Sequence, residues 1–210
     1  DVPAAVSCPP PMLHPLMRRL ACLLLLTAAL AAGGDTDRHF PPRLQVSDAG
    51  ATQWLRLTGT ATRRFLFFRV YEIGHYIDAE DRRELSVDTV IADGPAKALR
   101  IVFARSLERD QIRREFSRSL RRNARPQWLS AAGDTIDAFV AAIDRGAEAG
   151  DRLLFYWLAG GRLLADFNGV RSFEATDDVF ARLIWSIWFG DDPVCDRDAL
   201  LARLGTGDPA

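Results

Sequence analysis

Between Leu55 and Ile77 the chain reads LRLTGTATRRFLFFRVYEIGHYI, and no other stretch so limits what it can fold into. β-Branched and aromatic residues dominate, and little in the run favours a helix. Trp54, Leu55 and Leu57 begin a β-run that Gly59 is expected to break, and Phe65–Ile77 is expected to form one long strand. Close together in this stretch are two guanidinium groups, Arg63 and Arg64, and two phenols, Tyr71 and Tyr76. Polar groups on a strand that otherwise reads as core either snorkel to solvent or line a pocket. Strand parity puts Arg63 and Tyr71 on one face and Arg64 on the other. Tyr76 has the opposite parity, but a bulge at Gly74 would turn it inward. Arg63, Tyr71 and Tyr76 are the candidate ligand-binding residues, with a solvated strand-end arginine as the plain alternative for Arg63 and a core or rim tyrosine for Tyr76.

The 210 residues suffice for one domain with a full core. A net charge of −1 gives no support to nucleic-acid binding. Met17-Arg18-Arg19, the apolar Leu20–Ala31 and the small residues Ala29-Leu30-Ala31 have the form of a secretory signal peptide. That apolar run is far short of the roughly 20 residues a spanning helix needs. A periplasmic or secreted protein is expected, with no stable membrane insertion once the leader is cleaved. The expected organisation is an upstream extension over 1–11, a leader over 12–32, a linker over 33–43, one domain over 44–206 and a tail over 207–210. Cys8 and Cys22 leave with the leader, so Cys195 stands alone, with no basic neighbour in sequence to activate it. No spacing of His, Cys, Asp and Glu suggests a metal site, and no phosphate loop or nucleophile elbow is present. No cofactor is expected.

Along the chain, Leu44–Leu57 reads as one or two short strands with a turn at Asp48-Ala49-Gly50, Ser86–Ile91 as a weak extended segment, and Lys97–Ala104 as a strand. Ser106 is a plausible N-cap for an arginine-rich helix with the narrow stripe Ile112, Phe116 and Leu120. That helix is read as a solvated face, with docking on anionic lipid or another acidic surface as the alternative. Asp134 is expected to cap the next helix, through Ile143. Strands over 152–158 and 162–167 turn about Ala159-Gly160-Gly161, and Asn168-Gly169 turns the chain into Val170–Phe173. Thr176 is expected to cap a helix over 177–189, where Trp185 and Trp188 join the core, and a short helix over 196–204 closes the chain. Strands, two helices, three strands and then helices make an α+β protein, an antiparallel sheet with helices on one face.

Gly59–Ile77, Lys97–Leu107, Gly150-Asp151, Asn168-Gly169 and Ile184–Val194, in that order and spacing, resemble the chalcone isomerase-like family, and the leader points to its exported bacterial branch. The resemblance implies an open-faced β-sandwich with a cleft between sheet and helices. That cleft holds a flavonoid in the plant enzymes and a fatty acid in related non-enzymatic members. Arg63 matches the family's cleft arginine in G-x-G-x-R, although Ala61 replaces the second glycine. Tyr71 falls where the isomerases carry a catalytic threonine. Their catalytic Tyr and Lys are expected on the helix after Arg105, and Leu107–Arg125 holds neither residue type. The implied protein is non-catalytic and binds a small amphipathic acid. The alternatives are an isomerase or lyase acting on a phenolic or enone substrate, and a protein-interaction module with a closed cleft.

Overall fold

The computed structural model describes residues 39–48, 51–81 and 86–202. The leader, the centre of the Asp48–Gly50 turn, residues 82–85 and the last residues of the closing helix lie outside them. Phe40–Ala210 forms a compact unit of its own, separate from Asp1–His39. All the paired strands and both hydrophobic cores among the described residues fall inside it, so it is self-contained as a folding unit.

Seven strands form one antiparallel sheet in chain order: β1 Arg43–Asp48, β2 Ala51–Phe65, β3 Phe68–Asp78, β4 Lys97–Phe103, β5 Arg152–Leu158, β6 Arg162–Phe167 and β7 Val170–Thr176. Each strand pairs with the one before it; short connections join β1 to β2, β2 to β3, β5 to β6 and β6 to β7, whereas the chain between β4 and β5 carries helices over 109–142. The helices lying wholly within the described residues are α1 Val87–Val90, α2 Arg109–Asn123, α3 Pro126–Ala131, α4 Gly133–Ala142, α5 Asp178–Phe189 and α6 Arg197–Leu201. Alternation along the strands divides their side chains between two cores. Leu99, Ile101 and Phe103 of β4 and Leu153, Phe155 and Trp157 of β5 face the helices. Ala98, Val102, Tyr156 and Leu164 face the other way, where Phe40 and Val46 join them. The sheet curls on that side, and Asp48 of β1 reaches Arg162 of β6 in an ion pair. Phe40, expected in the linker, is therefore part of the core.

The central helix α5 is buried almost all round, from Phe180 through Phe189. Asp177, rather than Thr176, caps it, its carboxylate accepting from the Phe180 amide at 2.9 Å. Glu108, rather than Ser106, stands at the N-cap of α2, and Ser106 bonds Glu148 instead. Ala132, rather than Asp134, precedes α4. The arginines of α2 are only partly a solvated face. Arg113 donates to the Ile143 and Ala141 carbonyls at 2.9 and 3.0 Å, closing the C-terminal end of α4. Ser86–Ile91 is the short helix α1 and not an extended segment, because Ser86 and Thr89 form a reciprocal capping box.

Two expectations about the opening stretch are corrected. Gly59 does not break a strand: β2 passes through it with a bulge at Thr58, where Leu57 pairs Tyr76 and Gly59 pairs His75. Glycine is required there because a Cβ would sit 2.1 Å from the Ala199 carbonyl oxygen of α6. Nor is Phe65–Ile77 one strand, since the chain reverses at Leu66-Phe67 and Phe65 pairs Phe68. No turn-forming residue marks that reversal. Leu66 takes φ +53, a left-handed conformation that costs a non-glycine residue about 1–2 kcal/mol.

Candidate functional site

With the chain reversed at Leu66-Phe67, Arg63 and Tyr71 become direct cross-strand partners on β2 and β3. A second bulge, at Val70, lies just beyond them, since Arg64 already pairs Arg69. Both side chains line a cavity of about 160 Å³ between the sheet and helices α2 and α5. Its walls are apolar, with Ile101, Phe103, Leu107, Ile112, Phe116 and Trp188 among them. A second cavity, about 450 Å³, continues under α4 toward β6 and β7. Phe103, Ile112, Phe116 and Leu153 line both, so the two chambers share one wall.

The polar end is built in specific terms. Arg63 donates to the Val194 carbonyl at 2.7 Å and forms no ion pair among the described residues. One nitrogen is thereby fixed, and the rest of the guanidinium fork remains for an anion. Trp188 Nε1 donates to the Tyr71 hydroxyl oxygen at 3.0 Å. That bond orients the phenol, while its own proton has no acceptor among the described residues. Burial pushes the Tyr71 hydroxyl well above its ordinary pKa, with the Cys195 side chain adding to the effect. Tyr71 is therefore a neutral hydrogen-bond donor and not a phenolate base. Arg105, Gln111, Glu115 and Ser119 also line this chamber. Glu115 is engaged with Arg118 at 2.6 Å.

Tyr76 does not belong to this site. It is fully buried in the core on the opposite face of the sheet, against residues such as Leu57 and Ala98. The expected bulge at Gly74 is absent: β3 pairs β4 without a shift from Tyr71 to Ile77, so Tyr76 keeps its outward parity. Arg64 is exposed. Cys195 is near Arg63, yet burial drives its thiol up to about 12, which leaves no appreciable thiolate at neutral pH. Trp188 and the second chamber went unread in the sequence. Trp188 reads as core from its helical periodicity, and its reach to Tyr71, 117 positions away, is a tertiary fact.

Among the described residues no group of His, Cys, Asp and Glu is placed to hold a metal ion. No described helix is long and apolar enough to cross a membrane. A family model described as chalcone isomerase-like matches residues 36–202. The chain belongs to the chalcone isomerase-like family. Among solved structures, this family member is similar to a fatty-acid binding protein of Arabidopsis thaliana. The two share 15% identity and a TM-score of 0.55, over 77% of this chain and 96% of that one. At that identity the likeness establishes the fold. A search of curated proteins finds no match.

Proposed function

We propose that this chalcone isomerase-like protein is a non-catalytic, exported binding protein for a small amphipathic acid, of which a fatty acid is the leading case. The observation that carries the reading is Arg63, without an acidic partner among the described residues, beside the neutral hydroxyl of Tyr71 at the end of an apolar cleft. A carboxylate there accepts from the Arg63 fork and from the Tyr71 O–H, both charge-assisted bonds. The Arabidopsis neighbour, named for fatty-acid binding, supports the same reading. Catalysis by proton transfer is disfavoured. Tyr71 stays protonated, and α2 offers no Tyr or Lys to act in its place. A closed interaction module is disfavoured by the open chambers.

The first chamber is smaller than the roughly 300–1,000 Å³ usual for ligand pockets, so it takes the head of an acid and only part of a long tail. The tail then passes the shared wall into the second chamber. Leu153→Phe adds bulk at that wall and should weaken hexadecanoic acid by about tenfold while leaving octanoic acid within about twofold, roughly 1.4 kcal/mol against almost none. Titration calorimetry with the two acids checks this, and equal losses for both would contradict the two-chamber path. For the export part of the proposal, N-terminal sequencing of the chain from cell fractions should find a start near Ala32–Gly34 outside the cytoplasm. An intact leader on cytoplasmic protein would contradict it.

A further inference from the structure

Beyond the Arg63–Tyr71 pair, β2 and β3 run on as a two-stranded projection. β4 ends its pairing opposite Tyr71, and β1 has left β2 by Arg56. The tip is Phe65-Leu66-Phe67-Phe68, with exposures of 62%, 74%, 93% and 59%. Four consecutive large apolar side chains held in solvent on a convex tip are far from the scattered exposure normal on protein surfaces. Around them stand the exposed Arg64, Arg69 and Arg105. Arg105 lies over the Phe68 ring at 5.3 Å, residues 64–70 hold no acid, and Glu72, beside the projection, pairs with Arg69. Leu66 keeps a left-handed conformation that glycine would adopt without strain, so the apolar tip is retained at a cost to folding.

We propose that this tip inserts into the surface of an anionic lipid bilayer, with Leu66 and Phe67 among the acyl chains and the arginine collar at the headgroups. Apolar wedge and basic collar are the two components that reversible interfacial binding needs together, since either alone is weak. A protruding knob suits a fluid bilayer better than a flat protein face, which would leave its flanks uncovered. Phe65, Val70 and Arg105 also line the first chamber, so docking brings the mouth of the cleft down to the lipid. Docking itself stands on the tip alone. The corollary, that an acid enters the cleft from the membrane, rests on the binding function proposed above.

The test is sedimentation of the self-contained unit Phe40–Ala210 with vesicles of phosphatidylglycerol or of phosphatidylcholine. This unit leaves the apolar run Leu20–Ala31 out of the measurement. The variant is Leu66→Gly with Phe67→Ser, a turn sequence compatible with the hairpin. Expected are binding to phosphatidylglycerol at least tenfold tighter than to phosphatidylcholine, weakening with salt, and at least a tenfold loss in the double variant. Affinity for dissolved hexadecanoic acid should be the same in both chains. Undiminished vesicle binding by the variant overturns the proposal. So does a tip that fails to bind lipid but mediates self-association in ultracentrifugation or capture of a protein partner. If neither chain binds acid and tip-dependent vesicle binding persists, docking stands and the acid-binding function falls.

Discussion

Acidification from pH 6.5 to pH 4 should cost the folded protein about 3 kcal/mol through His75 alone, at roughly 1.4 kcal/mol per pH unit. His75 is fully buried, and its pKa is lowered to about 3, first by burial and then by the positive charges of Lys97 and Arg56. Thr58 Oγ1 lies 2.7 Å from His75 Nδ1 and 2.7 Å from the Leu200 carbonyl. If the hydroxyl proton goes to the carbonyl, Nδ1–H must donate to the hydroxyl oxygen, and Nε2 carries the lone pair. That nitrogen has no partner among the described residues, and the ring meets Phe189 edge-on at 4.9 Å. A proton added at Nε2 would be buried without an acceptor among the described residues. Below pH 6.5 the unfolded chain takes up this proton and the folded chain does not, so the contribution is whole above 6.5 and falls as the pH drops. His75→Asn keeps a polar atom near Thr58 but does not titrate. Urea unfolding at a series of pH values should show the wild-type slope steeper than that of the variant in this window. Parallel curves would contradict the assignment.

What could be read from the sequence and what could not divide along physical lines. β4 to β7 and α5 declare themselves, because they are apolar runs of strand or helix length bounded by turn and cap residues, as at Asn168-Gly169. The reversal at Leu66-Phe67 has no such code, since aromatic residues with high strand propensity occupy the turn itself. Missing it did not separate Arg63 from Tyr71, which share a face as cross-strand partners instead of as members of one strand. The same parity reasoning holds Tyr76 away from the cleft once the bulge falls at Thr58 on the neighbouring strand. Gly59 reads locally as a breaker, whereas its reason is the backbone of α6, some 140 residues on. The shared wall between chambers is likewise built from three separate parts of the chain, β4, α2 and β5, and leaves no local mark.

Arg63→Ala should weaken binding of a long-chain acid by about ten- to a hundredfold, the equivalent of roughly 1.5–3 kcal/mol for hydrogen bonds to a charged group. The matching alcohol, with no charge to pair, should change much less. Folding should survive at a cost of about 1 kcal/mol, the usual net value of one hydrogen bond, because the Arg63 bond to the Val194 carbonyl is lost as well. Arg64→Ala provides the control, as its exposed side chain lies outside both chambers. Tyr71→Phe should cost less than Arg63→Ala, since it removes a neutral donor and keeps the ring in place.

Calorimetric titration of the wild-type protein and Arg63→Ala with hexadecanoic acid and with hexadecanol tests the central claim most directly. The account predicts one acid per chain, a selective loss of acid affinity in the variant, and alcohol affinity nearly the same for both proteins. No binding of acid by the wild type, or equal losses for acid and alcohol, would contradict it.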